Sequence, residues 1–189
     1  VEGNDVKAGD RFLDLSTYEF APGEKKLLLH DKLQYIYRRS PAGYYFVYDI
    51  ASKKVTELDA AEKQMFPRFS RDGKKLAYVK SNNLSYRNLE SDKEFAVTTD
   101  GEHNKIKNGW ADWVYEEEFS KADYFDWSAD GRYLAFVRFD ETRVKEFTLD
   151  YYNNELYPVK YSFKYPKAGE ENSVVSVEIF DTETGRSIT

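Results

Sequence analysis

Apolar positions along this chain fall in short runs bounded by glycine, proline, aspartate or serine, and the runs echo one another. Phe20-Ala21-Pro22-Gly23-Glu24-Lys25-Lys26-Leu27-Leu28-Leu29 returns as Phe69-Ser70-Arg71-Asp72-Gly73-Lys74-Lys75-Leu76-Ala77-Tyr78. It returns again as Trp127-Ser128-Ala129-Asp130-Gly131-Arg132-Tyr133-Leu134-Ala135-Phe136, the copies standing 49 and then 58 residues apart. In each copy an aromatic residue ends one strand and a Pro-Gly or Asp-Gly pair turns the chain. A basic residue and a second apolar strand follow. Asp-Gly between strands is a strong hairpin signal, because glycine takes positive φ at little cost.

A second signature lies between the first. Tyr48-Asp49-Ile50-Ala51-Ser52-Lys53-Lys54-Val55-Thr56-Glu57-Leu58 is echoed from Arg87 to Thr98 and once more from Ile179 to Thr189. Each predicts an apolar strand, a polar hairpin and an outer strand. Two hairpins make a four-stranded unit, and a period of roughly 40–50 residues is that of a propeller blade. Helical periodicity is nearly absent, and only 112–121 has room for a short helix. The expected fold is all-β, a β-propeller fragment of about three four-stranded blades with one short helix. Blades are expected near 13–66, 67–105 and 125–189, after a tail or edge at 1–12. Closed propellers need about four to eight blades, so the chain reads as part of a larger ring whose unpaired edges invite a second copy.

Two segments, 104–125 and 140–171, interrupt the repeat. Long insertions on a rigid scaffold are where binding residues collect. Pro158 and Pro166 predict extended rather than helical chain in the second.

Composition sharpens this picture. The 189 residues have room for one domain or a large piece of one. A content of 41% hydrophobic and 33% charged residues excludes a disordered chain. Sixteen Tyr and 13 Phe against one Met favour strands further. A net charge of −6 argues against nucleic acid as a partner. With no cysteine there is no disulfide, thiolate metal site or cysteine nucleophile. No apolar run approaches the ~18 residues of a membrane span, and Val1-Glu2-Gly3-Asn4-Asp5 has no signal-peptide character.

The densest chemistry lies in the first insertion, Trp110-Ala111-Asp112-Trp113-Val114-Tyr115-Glu116-Glu117-Glu118-Phe119. Successive helical side chains point about 100° apart, so adjacent glutamates splay yet converge on one small cation. Aromatic flanks lower the local dielectric, and close carboxylates repel until a cation relieves them. The pattern fits an acidic surface turn, an ammonium site, or a hard-cation site of Asp112, Glu116, Glu117 and Glu118. No Gly-x-Ser-x-Gly elbow, phosphate-binding glycine loop or HExxH sequence occurs. His30 and His103 lack ligand spacing, and no cofactor is expected. Arg38-Arg39 is either a surface pair or a rigid fork for a carbonyl or carboxylate.

The run Asp112-Trp113-Val114-Tyr115-Glu116-Glu117-Glu118-Phe119 resembles the glutamate motif of the dipeptidyl peptidase IV family. Tyr165-Pro166-Lys167-Ala168-Gly169 is similar to that family's proline-lysine-alanine-glycine segment, and Arg138-Phe139-Asp140-Glu141-Thr142-Arg143-Val144 also resembles it. The resemblance implies a serine exopeptidase that removes dipeptides, with Pro or Ala second, from peptide N-termini. It implies a ring of about eight blades joined to an α/β-hydrolase domain, absent here, that bears a Ser-Asp-His triad. On the same ground Glu117 and Glu118 would grip the substrate's free α-ammonium, and Arg38 would meet a substrate carbonyl. The family often has His where this chain has Arg39, which leaves the choice between Arg38 and Arg39 open, as it leaves Ser120. The implied partners are peptides with a free N-terminus, the protein's own hydrolase domain and a second copy in a homodimer. The implied location is periplasmic or otherwise extracytoplasmic. The competing class is a non-catalytic propeller whose face binds proteins.

Overall fold

The computed structural model describes residues 6–188; of the tail expected at 1–12, residues 1–5 lie outside the described residues, as does Thr189. Strands β1 (Lys7–Ala8) and β2 (Arg11–Phe12) pair as a short antiparallel ribbon. Val6 and Leu13, at its ends, pack with Leu27, Leu29, Phe46 and Tyr48.

Two four-stranded meanders follow. The first comprises β3 (Glu19–Phe20), β4 (Lys26–Tyr35), β5 (Pro41–Asp49) and β6 (Val55–Glu57); the second comprises β7 (Gln64–Phe69), β8 (Lys75–Lys80), β9 (Asn83–Asn88) and β10 (Lys93–Ala96). Within each, neighbours in sequence pair antiparallel. The pairs Ala42↔Met65 and Gly43↔Gln64 join β5 to β7, so both meanders share one eight-stranded sheet. The third unit contains β11 (Ile106–Asn108), helix α1 (Trp113–Phe119), β12 (Phe125–Trp127), β13 (Tyr133–Asp140), β14 (Glu146–Tyr151), β15 (Val159–Lys164), β16 (Val174–Asp181) and β17 (Arg186–Ile188). Here β11 and β12 lie end to end along β13, with β16 and β17 on its other side. The second insertion forms an arm, β14 pairing with β15.

The all-β expectation therefore holds, and each repeated turn falls where the sequence puts it. Pro22-Gly23 joins β3 to β4, Asp72-Gly73 joins β7 to β8, and Asp130-Gly131 joins β12 to β13. The strands read as nearly continuous apolar runs because both faces of the sheets are covered. Leu27 and Leu29 point to one core with Phe46 and Tyr48, while Leu28 points to another with Tyr45, Val47, Leu76 and Tyr78. The opposite face of β8, Ala77 and Val79, meets Trp127, Leu134 and Phe136 in a third core. Three stacked layers result, with the loop between β4 and β5 lying beside α1. Among the described residues no helix is long and apolar enough to cross a membrane.

Candidate functional site

Helix α1 starts where Asp112 supplies a cap. Its backbone is extended (φ −71°, ψ 175°), and its Oδ1 accepts the Tyr115 N–H at 2.8 Å. The helix stops at Ser120, which takes the left-handed conformation (φ 54°, ψ 31°). Two turns of helix are marginal in water, so tertiary contacts hold this one. Tyr115 packs edge-on against Phe139 at 5.0 Å, and Trp113 lies 4.5 Å from the Tyr165 ring.

The helical turn separates the three glutamates into three environments. Glu116 is fully buried and accepts the Arg39 N–H on one oxygen and the Ser40 hydroxyl on the other. Both donors sit in the loop between β4 and β5, so Glu116 ties that loop to α1. Glu117 is one-fifth exposed, with its Oε1 3.5 Å from the Nε of Arg38, a residue that is itself largely in solvent. Glu118 is exposed, as is Ser120. Of the three residues implicated by resemblance, the structure thus brings Arg38 and Glu117 together and leaves Glu118, the next residue in the helix, exposed. Arg39 differs: its backbone is held by Glu116, and its Nη1 is buried without a hydrogen-bond partner.

The carboxylates of the hard-cation alternative turn to separate partners rather than to one centre. Asp112 caps the helix, Glu116 is taken by the loop and Glu117 faces Arg38. Among the described residues no group of three or more His, Cys, Asp or Glu is placed to hold a metal.

Beside this cluster lies a cavity of about 720 Å³, lined by Arg38, Tyr37, Trp113 and a row of apolar residues from the β14–β15 arm, including Phe147, Leu149 and Phe163. Tyr165, Pro166, Lys167 and Ala168 complete its wall, which gives the proline-lysine-alanine-glycine segment a place in the site. A second cavity, about 590 Å³, lies across Tyr37 and is lined by Tyr35, Lys63, Met65, His103 and Trp110. Glu117 and Glu118 stand outside both walls, at the Arg38 side of the first. Sequence reasoning missed the clamp by Glu116 and Ser40, and it missed a buried ion pair between Lys107 and Glu141. A lysine inside the otherwise uncharged stretch from Ile106 to Ala111 was the available signal for the latter.

Residues 21–189 match the family described as the dipeptidyl peptidase IV (DPP IV) N-terminal region. Prolyl endopeptidase FAP of Homo sapiens is 34% identical over 172 residues, covering 90% of this chain and 23% of that protein. Probable dipeptidyl-aminopeptidase B of Phaeosphaeria nodorum is 31% identical over 212 residues, covering 96% of this chain and 23% of that protein. The crystal structure of Porphyromonas gingivalis dipeptidyl peptidase 4 aligns with a TM-score of 0.89 at 38% identity, over 96% of this chain and 26% of that one. The chain therefore spans about a quarter of the length of these relatives. With the motif, the layered sheets and the aligned structure in agreement, this chain belongs to the dipeptidyl peptidase IV N-terminal-region family.

Proposed function

We propose that this chain is the substrate-gating, N-terminus-recognising propeller portion of a serine dipeptidyl-peptidase that releases X-Pro or X-Ala dipeptides. The observation that supports it most is the contact of Arg38 with Glu117, beside a cavity that Arg38 helps to line, in a member of this family. In the free protein Arg38 partly neutralises Glu117. An incoming α-ammonium takes that role with Glu118 beside it, and Arg38 is released toward a substrate carbonyl.

The acids then act as a ruler. They hold the amine so that the second peptide bond reaches a serine supplied by a hydrolase domain of the parent protein. Positioning of this kind, more than attraction, accelerates the chemical step. A free N-terminus is required because an acylated one offers no charge to the glutamates. We place the parent outside the cytoplasm, in the periplasm or another extracytoplasmic compartment, by its resemblance to bacterial relatives. We also take it to be a homodimer, for which the exposed Tyr152, Leu156 and Tyr157 of the arm offer apolar surface.

In the parent protein, Glu117→Ala and Glu118→Ala are each expected to lower kcat/KM on a Gly-Pro reporter about 10- to 100-fold. That range follows from charge-assisted hydrogen bonds of about 1.5–3 kcal/mol. Near-normal turnover in both variants would overturn the assignment. The 189-residue chain alone is expected to hydrolyse nothing, and inhibitor-sensitive cleavage by it would show that the nucleophile lies here instead.

A further inference from the structure

Lys107 and Glu141 form an ion pair at 3.3 Å whose side chains are only 3% and 1% exposed. Burial pulls the Lys107 ammonium below its ordinary range, and attraction to Glu141, Asp112 and Glu116 opposes that fall. Burial likewise pushes the Glu141 carboxyl up, with Lys107 opposing. A buried ion pair gains little stability over apolar side chains of the same size. What it adds is direction, and here the direction is informative.

The Lys107 ammonium donates to the Tyr37 hydroxyl at 3.3 Å and to the Ala111 carbonyl at 3.5 Å. It also lies 4.1 Å from the Trp110 ring and 4.9 Å from the Tyr37 ring, within cation–π range. Tyr37 immediately precedes Arg38, and Ala111 immediately precedes the helix cap Asp112. One cation therefore touches both the loop that carries Arg38 and the segment that launches Glu117 and Glu118. Glu141 Oε1 faces the ammonium across 3.3 Å as an opposing charge, with neither carboxylate oxygen accepting a hydrogen bond, while its backbone is held by the N–H donating to the Lys105 carbonyl at 2.7 Å. The Tyr37 hydroxyl stays a neutral phenol, since burial and the carboxylates around it raise its pKa.

We propose that the Lys107–Glu141 pair is a positioning unit: it sets the separation between Arg38 and the two glutamates, and through it the affinity for an N-terminal ammonium. Neither residue touches substrate. The inference rests on the N-terminus-recognising role assigned above to Glu117 and Glu118. The Glu116 clamp is the second tie between the same two segments, so loss of the ion pair loosens the site without dismantling it.

The test compares wild-type parent protein with the Lys107→Met/Glu141→Gln double variant, which removes the charges together and preserves volume. The expected result is a KM for a Gly-Pro reporter raised about tenfold, with kcat within about threefold and the thermal midpoint close to wild type. A purely structural pair would lower the thermal midpoint and leave KM alone, and an unchanged KM in the folded variant overturns the proposal. Glu117→Ala and Glu118→Ala are measured alongside. Normal turnover there refutes the recognition role itself, whereas impaired turnover with an unchanged double-variant KM refutes only the positioning unit. Should the double variant fail to fold, the Glu141→Gln single variant, which leaves the Glu116 clamp and the lysine's contacts to Tyr37 and Ala111 in place, decides. A raised KM there supports the positioning unit, and an unchanged KM refutes it.

Discussion

Glu116, Glu117 and Glu118 are chemically identical and adjacent, yet each meets a different fate. A helix rotates successive side chains by about 100°, which sends Glu116 into the protein and leaves Glu118 in water. Glu116 answers two loop donors, and truncating it strands both inside the fold. Glu116→Ala is therefore expected to cost about 3 kcal/mol, the order seen when a buried charged acceptor is lost. Glu118→Ala is expected to leave stability within about 0.5 kcal/mol, as exposed substitutions do, while lowering peptidase activity of the parent. Thermal or denaturant unfolding of the two variants separates the clamp from the gripping residue. Equal destabilisation would contradict this division.

At the scale of elements, the hairpin ends are held by side chains that the repeat itself supplies. The guanidinium of Arg132, from the turn after β12, grips Asp181 at the end of β16 through Nη2 at 2.7 Å and Nε at 3.1 Å. That bond holds the Asp181 carboxyl down at about 2, against an ordinary value of 3.8. Because the folded value lies below the unfolded one, the pair stabilises fully above about pH 4 and loses its effect as pH falls toward 2. Asp181→Asn is expected to show a lower melting temperature than wild type at pH 7, with the gap closing between about pH 4 and 2. A gap that persists at pH 2 would mean the loss is packing rather than charge. The pair locks β13 to β16 at the end of their ladder away from the arm, where Tyr133 lies opposite Asp181.

Across the whole molecule, the Asp-Gly turns nest against one another. A Cβ on Gly73, which sits at φ +70°, would lie 2.9 Å from the Pro22 carbonyl oxygen in the turn of the preceding meander. Lys75 reaches the other way, donating to the Gly131 carbonyl at 2.8 Å and the Thr182 hydroxyl at 2.9 Å. Trp127 adds an indole N–H to the Arg68 carbonyl at 3.0 Å. The layers are therefore joined by backbone approaches as well as by apolar faces. Gly73→Ala is expected to cost about 2 kcal/mol or more, from positive φ together with the backbone clash. Gly23→Ala, at φ +81° with open space around its Cβ, loses only the conformational part, about 1 kcal/mol. Unfolding midpoints that do not rank the two in this order would argue against nested turns. The outer face of β16 and β17 stays uncovered, with Val175, Val177, Ile179 and Ile188 exposed.

Much of this was legible in the amino-acid order, because strand alternation and glycine turns are local. The three copies of an aromatic residue, a Pro-Gly or Asp-Gly pair and a basic residue named the hairpins, and 112–121 was the one stretch with room for a short helix. The acidic-aromatic run marked the stretch that becomes α1. What the order alone did not contain was the sorting of equivalent residues. Arg38 rather than Arg39 meets Glu117 because a loop from the first meander crosses a helix roughly 80 positions later in the chain. The burial of Lys107 with Glu141, and of Glu116 with Ser40, likewise depends on which loops stacking brings together. Local preference decides how a segment folds on itself. Only the packed layers decide which distant charges become neighbours, since a lone lysine or glutamate carries the same preference for water wherever it stands.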